Sequence, residues 1–474
     1  MFVPLVCFIS AVLTRLVLLL AAMVGDFIIP DHFPQGADEF LFEDQSQSIL
    51  IAFQRWDSIH FFNIAGAKYQ IDKQLVFPPV YPSFVHYISN YMPIDFSQSD
   101  RLTLSSLLIN CICVSVSCYQ LVFIMRKFGF ASTNSDVYLL ILIFCFCPAS
   151  IFFLTAYTEA LFSALTWSGL AIILSHNDAF KIGSSPYWGA LEFLFSCLCL
   201  AIASSVRMNG SLNIIIIVTK YLLDPVQYKH NMYNTIVFEA ARFLRYFMLF
   251  LSAILPGFYL ESEIVRMACI EKTVISSDET LAFCATYSFP QLHTMYAELQ
   301  RQYWNVGFLR YWQVKQIPNF LLAIPILFVS IHALTVKAVN PITYNRNSIA
   351  SFLLEKALSP LFLSFGNSFP FQYYNKQKIM RKFVIDALQY LREELCSPQV
   401  VLKPHLLSLL VIGFFWANVQ ISTRLICAAC PLVYLGFFDL LKNGDRIQRR
   451  LCIAYLVVYN VAGVLLHCNF FPWT

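Results

Sequence analysis

The chain has 474 residues, of which 58% are hydrophobic and 13% charged, with a formal net charge of +4. An ordinary soluble domain is about 45–50% apolar and about 25% charged, so a water-soluble fold of this size is excluded and the surplus apolar surface must face lipid. No basic face interleaved with aromatics is present, so nucleic acid is not an expected partner.

A membrane helix needs about 20 mostly apolar residues. Segments of that kind fall at 2–24, 102–125, 136–153, 157–175, 189–206, 209–223, 242–260, 317–337, 405–420, 424–441 and 451–467. The pattern predicts an all-α polytopic membrane protein with about 11 transmembrane helices, organised as one membrane domain over 1–474. A secretory signal ending near Ala21-Ala22 is the other reading of the first segment. Arg15 in the middle of its apolar run argues against that, because a signal keeps its charge at the front.

Charge sets the expected orientation. Residues 26–101 carry ten acids and four bases, which marks a non-cytoplasmic loop. Arg126-Lys127, the stretch 220–245 with Lys220, Lys229, Arg242 and Arg245, and Arg446, Arg449 and Arg450 mark the cytoplasmic side. The basic segment 337–404, with Lys376, Lys378, Arg381 and Lys382, is expected to be a cytoplasmic loop carrying a helix near 377–395. The N-terminus then lies in the cytoplasm and the C-terminus in the lumen. Two lumenal loops are long, 25–101 and 261–316. The first has short amphipathic stretches at 46–53 and 56–67, suited to lie at the membrane surface. The second holds Cys269 and Cys284, which an oxidising lumen permits to pair. Most other cysteines sit in apolar runs as small hydrophobes. Cys427 and Cys430 form a C-x-x-C without the second pair that structural zinc needs, so no metal site is expected.

Walker, G-x-G-x-x-G, G-x-S-x-G and H-E-x-x-H signatures are all missing. What remains is a series of polar clusters. In Arg55-Trp56-Asp57-Ser58-Ile59-His60, a carboxylate between two cations can serve as a general base or form part of a phosphate site. Phe77-Pro78-Pro79-Val80-Tyr81-Pro82 is a rigid corner. In Pro148–Ala160, Glu159 at a membrane edge is costly unless paired or wet, though Thr158 before it also fits a helix N-terminus. In Ser204–Gly210, Arg207 at a helix end suits a phosphate or simply snorkels. Asn209-Gly210-Ser211 matches a glycosylation pattern too close to the membrane to be used. Tyr303–Phe308, with Tyr311 and Gln316–Asn319, offers aromatics for an interfacial belt or for stacking on sugars. Gln420–Arg424 and the terminal Asn469–Thr474 complete the series. By the charge rule every cluster falls on the lumenal side, which points to one site at the bilayer surface. Its substrate would have one end in lipid and the other in water.

Together, Arg55-Trp56-Asp57-Ser58 with His60, the Pro148–Ala160 stretch, Arg207 with Asn209-Gly210, Tyr303–Phe308 with Lys315–Phe320, Gln420–Arg424 and the Phe-Pro-Trp terminus resemble the GPI mannosyltransferase 2 family. The resemblance runs nearly end to end and is weak over 220–300 and 337–404. It implies a GT-C type glycosyltransferase of the endoplasmic reticulum membrane that takes mannose from dolichyl phosphate mannose. The acceptor implied is a mannosyl-glucosaminyl-phosphatidylinositol lipid, a GPI precursor, and the new bond is α-1,6, formed with inversion. No cofactor or metal is implied, and a small membrane subunit is a partner in some members. An inverting transfer needs one base for the acceptor hydroxyl and cations for the departing phosphate. Asp57 is the first candidate for the base, with Glu43, Asp44, Asp38 and Glu39 of the same loop as alternatives. Arg207 and Arg424 are the candidates for the phosphate, with Arg55 beside them. Glu159, His60, Asn209 and Asn305 are candidates for the sugar hydroxyls, and Trp56, Tyr303 and Trp304 for an aromatic groove. The rival readings are a sibling glycosyltransferase with another acceptor, a catalytically dead assembly subunit, and a transporter or lipid scramblase. The last is disfavoured because the polar clusters keep to one face and no repeat of helices is visible.

Overall fold

The computed structural model describes residues 2–32, 50–175, 186–223, 232–286, 294–336, 398–471 and 473. It is a helical bundle, and among the described residues the only extended pairing is an isolated bridge between Ile71 and Ile275. In chain order the helices are α1 (Val3–Ile28), α2 (Asp57–Ala67), α3 (Val80–Ser89), α4 (Gln98–Lys127), α5 (Asn134–Cys145), α6 (Glu159–Ser175), α7 (Pro186–Val206) and α8 (Asn213–Leu223). They continue as α9 (Met232–Val265), α10 (Asp278–Thr286), α11 (Thr294–Trp304), α12 (Ile317–Thr335), α13 (Lys403–Val411), α14 (Ser422–Ala429), α15 (Leu432–Lys442) and α16 (Arg446–Cys468). The expected acids at 38, 39, 43 and 44 and the expected helix near 377–395 lie outside the described residues.

The expected apolar segments fall wholly or partly on helix, and among the described residues they are not all straight crossings. Among the described residues seven helices are long and apolar enough to span a bilayer, which makes the chain a multi-pass membrane protein. The 424–441 segment is two helices, Val419–Ala429 and Leu432–Lys442, bent by 92°. Pro431 at the junction accounts for the bend, since it has no N–H to continue the ladder. The 136–153, 157–175 and 209–223 segments hold the shorter apolar helices Asn134–Cys145, Glu159–Ser175 and Met208–Leu223.

The early end of α5 matters most for the site. Pro148 cannot donate a backbone hydrogen bond and forces its predecessor out of helical geometry, so residues 146–158 run as successive turns inside the bundle. Carbonyls freed at such depth have no water to bond and need protein donors. Arg15, buried on α1, donates to the carbonyls of Cys145 and Ser150. Asn460 on α16 donates to those of Phe146, at 2.6 Å, and Cys147, at 3.3 Å. Asn110 on α4 donates to those of Leu154 and Thr155. The arginine that made a signal peptide an awkward reading thus completes the backbone of a broken membrane segment.

Two ends can be told apart. At one, Lys442 is 2.5 Å from Asp136, next to the basic end of α4, where Gly129 takes the left-handed φ of +83° that stops the helix. At the other, the segments 50–97 and 261–316 meet. The Asp72 carboxylate accepts the Ser277 N–H at 2.9 Å and the Tyr303 hydroxyl. Burial tends to raise the Asp72 pKa, but the hydroxyls of Tyr303 and Thr280 with the Ser277 amide hold it below the usual range. Cys269 and Cys284 form the disulfide allowed for in the sequence, with Cα atoms 5.3 Å apart. Glu261, fully buried on α9, accepts the first amides of α11, where an anion also meets the positive end of the helix dipole.

Candidate active site

At the end formed by the two long loops, four charged side chains from four separate stretches form a chain. Asp57 opens α2. Its carboxylate Oδ2 accepts from Arg424 Nη1 of α14 at 2.8 Å. Arg424 Nε lies 3.9 Å from Oε1 of Glu159, the first residue of α6. The same Glu159 oxygen is 2.6 Å from Nη1 of Arg207, which follows α7. The order is anion, cation, anion, cation.

Local sequence explains each placement. The turns that follow Pro148 deliver Thr158 and Glu159 to the start of α6, deep in the bundle, and Glu159 is 0% exposed. Arg207 is fixed by a tight turn. A Cβ at Gly210 would come within 2.6 Å of the Ser204 Cα, so only glycine lets the chain double back there. Arg207 then donates to Thr158 Oγ1 at 2.9 Å and to Asn209 Oδ1 at 3.2 Å. Arg424 rests on the rings of Phe152 and Tyr157, at 5.3 Å and 5.4 Å, a cation–π floor. The Asp57 backbone amide donates to the Tyr157 hydroxyl at 3.3 Å. Trp56, just before it, adopts a φ of +57°, a strained conformation for a bulky residue and a kind that clusters at functional sites.

Burial alone would raise the Asp57 pKa, but Arg424, with His60 and Arg207, outweighs it and holds the carboxyl below its usual range. Among the described residues neither oxygen of Glu159, nor Arg424 Nε, has a hydrogen-bond partner. Glu159 is offset in charge by Arg207 at 2.6 Å, and buried polar atoms left without hydrogen bonds call for an explanation, of which a ligand or an ordered water is one.

Of the residues singled out from sequence, Asp57, Glu159, Arg207, Asn209 and Arg424 come together here. His60 is buried one turn into α2 and stacks on Phe77 at 4.9 Å. Phe77 meets Trp304 edge-on at 6.1 Å, and Lys73 sits over Trp304 at 5.9 Å. Tyr303 is turned away to Asp72. Trp56 packs on Phe470 at 6.0 Å. Of the three expected groove aromatics, Tyr303 and Trp304 therefore meet edge-on at 5.8 Å, while the ring contact of Trp56 is with Phe470. Asn305, exposed, with φ +53°, ends α11, and its side chain reaches only the Arg310 carbonyl at 3.5 Å, so its visible role is that of a helix stop.

Arg55 differs most from expectation. It is 3% exposed and its guanidinium is held by Asp26 at 3.1 Å, Asp31 at 2.8 Å and the Cys468 carbonyl at 3.1 Å. It also lies over the Phe470 ring at 4.6 Å. Its Nε and Nη2 are thus taken up by protein acceptors. The sequence reading missed Asp26, Asp31 and His467, whose ring packs on Phe152 and Tyr157 at 5.5 Å and 5.6 Å. It quoted Phe152, Tyr157 and Thr158 without assigning them contacts. Cys427 and Cys430 are both buried in the core. Among the described residues no group of three or more His, Cys, Asp or Glu side chains is arranged to hold a metal ion.

The chain was compared with known proteins. The profile of one family, described as Mannosyltransferase (PIG-V), matches residues 5–474. The chain is 25% identical to GPI alpha-1,6-mannosyltransferase 2 of Cricetulus griseus, covering 98% of this chain and 97% of that one. It is 25% identical to GPI mannosyltransferase 2 of Drosophila pseudoobscura pseudoobscura, with 98% of each covered. To the Homo sapiens GPI alpha-1,6-mannosyltransferase 2 it is 24% identical over 98% of this chain and 97% of that one. Among solved structures, the archaeal oligosaccharyltransferase AglB from Archaeoglobus fulgidus, in complex with an inhibitory peptide and a dolichol-phosphate, aligns at a TM-score of 0.40 and 12% identity. That alignment covers 97% of this chain and 56% of AglB, so the chain spans about half the length of that protein.

Proposed function

Because the chain belongs to the mannosyltransferase (PIG-V) family, we propose that it adds the second mannose, through an α-1,6 bond, to a mannosyl-glucosaminyl-phosphatidylinositol lipid during GPI-anchor assembly. It is a GPI mannosyltransferase whose relatives carry that activity in their names. The finer parts of the reading are the donor, dolichyl phosphate mannose, the inverting course, the GT-C type architecture, and a lumenal site in the endoplasmic reticulum membrane. A small membrane subunit belongs to the same reading.

The observation that carries it is the chain Asp57–Arg424–Glu159–Arg207 at one end of a membrane bundle. In the proposed reaction an acceptor hydroxyl oxygen attacks the anomeric carbon of the donor mannose. The bond from that carbon to the phosphate oxygen breaks, and dolichyl phosphate leaves with the electron pair. The hydroxyl proton goes to an Asp57 carboxylate oxygen. Attack opposite the leaving group turns a β-mannosyl phosphate into an α-mannoside. Phosphate is a good leaving group, so the site needs cations rather than a strong general acid. Arg424, 18% exposed, and Arg207, 19% exposed, are the open cations. Glu159, between them, sets their spacing. Arg55, sealed by Asp26 and Asp31, positions the backbone entering Asp57.

The test is Asp57→Asn in cells lacking the second GPI mannosyltransferase, reading surface GPI-anchored protein beside wild type at matched protein level. A mannose-transfer assay on the defined acceptor accompanies it. Rescue by wild type and loss in a stably expressed variant supports both the function and the base. Rescue by both moves the base to Glu43, Asp44 or another acid of the loop. Failure of wild type to transfer mannose in the presence of cell membrane overturns the acceptor assignment.

A further inference from the structure

The charges around Asp57 contain a competition. Asp57, Arg424, Glu159 and Arg207 sum to zero, so a phosphodiester entering the site adds one unbalanced negative charge. One carboxylate must yield its cation. Glu159 cannot: it is 0% exposed, locked at the start of α6, and 2.6 Å from Arg207. Asp57 can, since its side chain is 27% exposed and, among the described residues, its single charged contact is the Arg424 Nη1 bond. Arg424 is also free to turn. Its Nε lacks a hydrogen-bond partner among the described residues, its link to Glu159 is loose at 3.9 Å, and it lies on aromatic faces that impose no fixed direction.

We propose that Arg424 serves two anions in turn, Asp57 before the donor arrives and the phosphodiester of the lipid-linked sugar afterwards, so that donor binding uncovers the base. A carboxylate held by a guanidinium is a poor proton acceptor, and one released beside another anion is a better one. His60, Arg207, Tyr157, Tyr296 and His467 also face Asp57, and His60 and Arg207 favour its charged form, but among the described residues only Arg424 is in direct charged contact. The device would enforce an order in which donor precedes acceptor activation. It rests on the donor assigned above.

The two anions then compete for one cation, and a double-mutant cycle on binding reads this without turnover. The probe is dolichyl phosphate, titrated onto the full-length protein in detergent, with melting temperature as the control for folding. Asp57→Asn is expected to tighten binding roughly tenfold, the middle of the range for directly coupled groups. The same substitution in an Arg207→Gln background should keep that gain. In an Arg424→Gln background the gain should vanish. A gain that persists without Arg424 would show only the general loss of a negative charge and would overturn the exchange. No gain from Asp57→Asn in a wild-type background that binds the probe would overturn it as well, whatever the Arg424 variant does, and would leave the donor reading standing. Wild type that fails to bind dolichyl phosphate would remove the donor reading and the exchange together.

Discussion

Arg55 and Asp57 stand two positions apart, and their side chains enter opposite surroundings. Arg55 turns inward to a closed cluster in which two carboxylates, a carbonyl and a ring take up its guanidinium. Asp57 turns to an open cluster in which Arg424 is its one charged contact and the neighbouring Glu159 oxygens have no hydrogen bond among the described residues. The closed cluster ties the end of α1, the first long loop and the C-terminal segment into one piece. The open one is balanced in charge but loosely joined, with Arg424 Nε 3.9 Å from Glu159. The two clusters differ in how the cation is held: Arg55 has two carboxylates, a carbonyl and a ring, whereas Arg424 has one close carboxylate and a loose second one.

The largest effect is expected at the open cluster. Asp57→Asn should lower the rate of mannose transfer by roughly 10²–10⁴, the usual worth of a general base, with the melting temperature near that of wild type. A parallel loss of folding would erase the contrast. The closed cluster should behave the other way. Arg55→Gln leaves two half-buried acids without their shared cation and should destabilise the protein by about 3 kcal/mol, the low end for breaking a buried pair, read as a lower melting temperature in detergent. Adding Asp26→Asn and Asp31→Asn should recover most of that loss. Failure to recover would mean that Arg55 contributes more than charge balance.

A smaller effect belongs to the junction of the two long loops. Tyr303→Phe should cost about 1.5–3 kcal/mol, the value of a hydrogen bond to a charged group. The Asp72 pKa is held low, so its stabilising contribution is present above the ordinary carboxylate value of about 3.9 and is lost as pH falls through the depressed one. Asp72→Asn should flatten the fall of melting temperature on the acid side. An unchanged slope would remove Asp72 as its source. The smallest effect is at the opposite end. Lys442, 44% exposed, pairs with Asp136, and Lys442→Gln should change stability by no more than about 1 kcal/mol and leave mannose transfer intact.

Much of this was legible from the chain before folding. Hydropathy placed the apolar segments, and charge separated the long acidic loop from the basic turns. The stretches around Asp57, Glu159, Arg207 and Arg424 stood out because charged residues at a membrane edge are costly without a role. Cys269 and Cys284 were visible as a candidate pair. Less legible was the length of each crossing, because a hydropathy window cannot see that Pro148 and Pro431 break helices whose orphan carbonyls are rescued from other helices. Composition and hydropathy place the protein in a bilayer, and the order of residues shows which polar stretches stand at membrane edges. Partnership came from the fold: Asp57 meets Arg424 across 367 positions and Arg55 meets the Cys468 carbonyl across 413. The reason is physical. Hydrophobicity is a property of each segment summed along the chain, whereas an ion pair depends on a few ångströms between residues that only the packing of the whole bundle brings together.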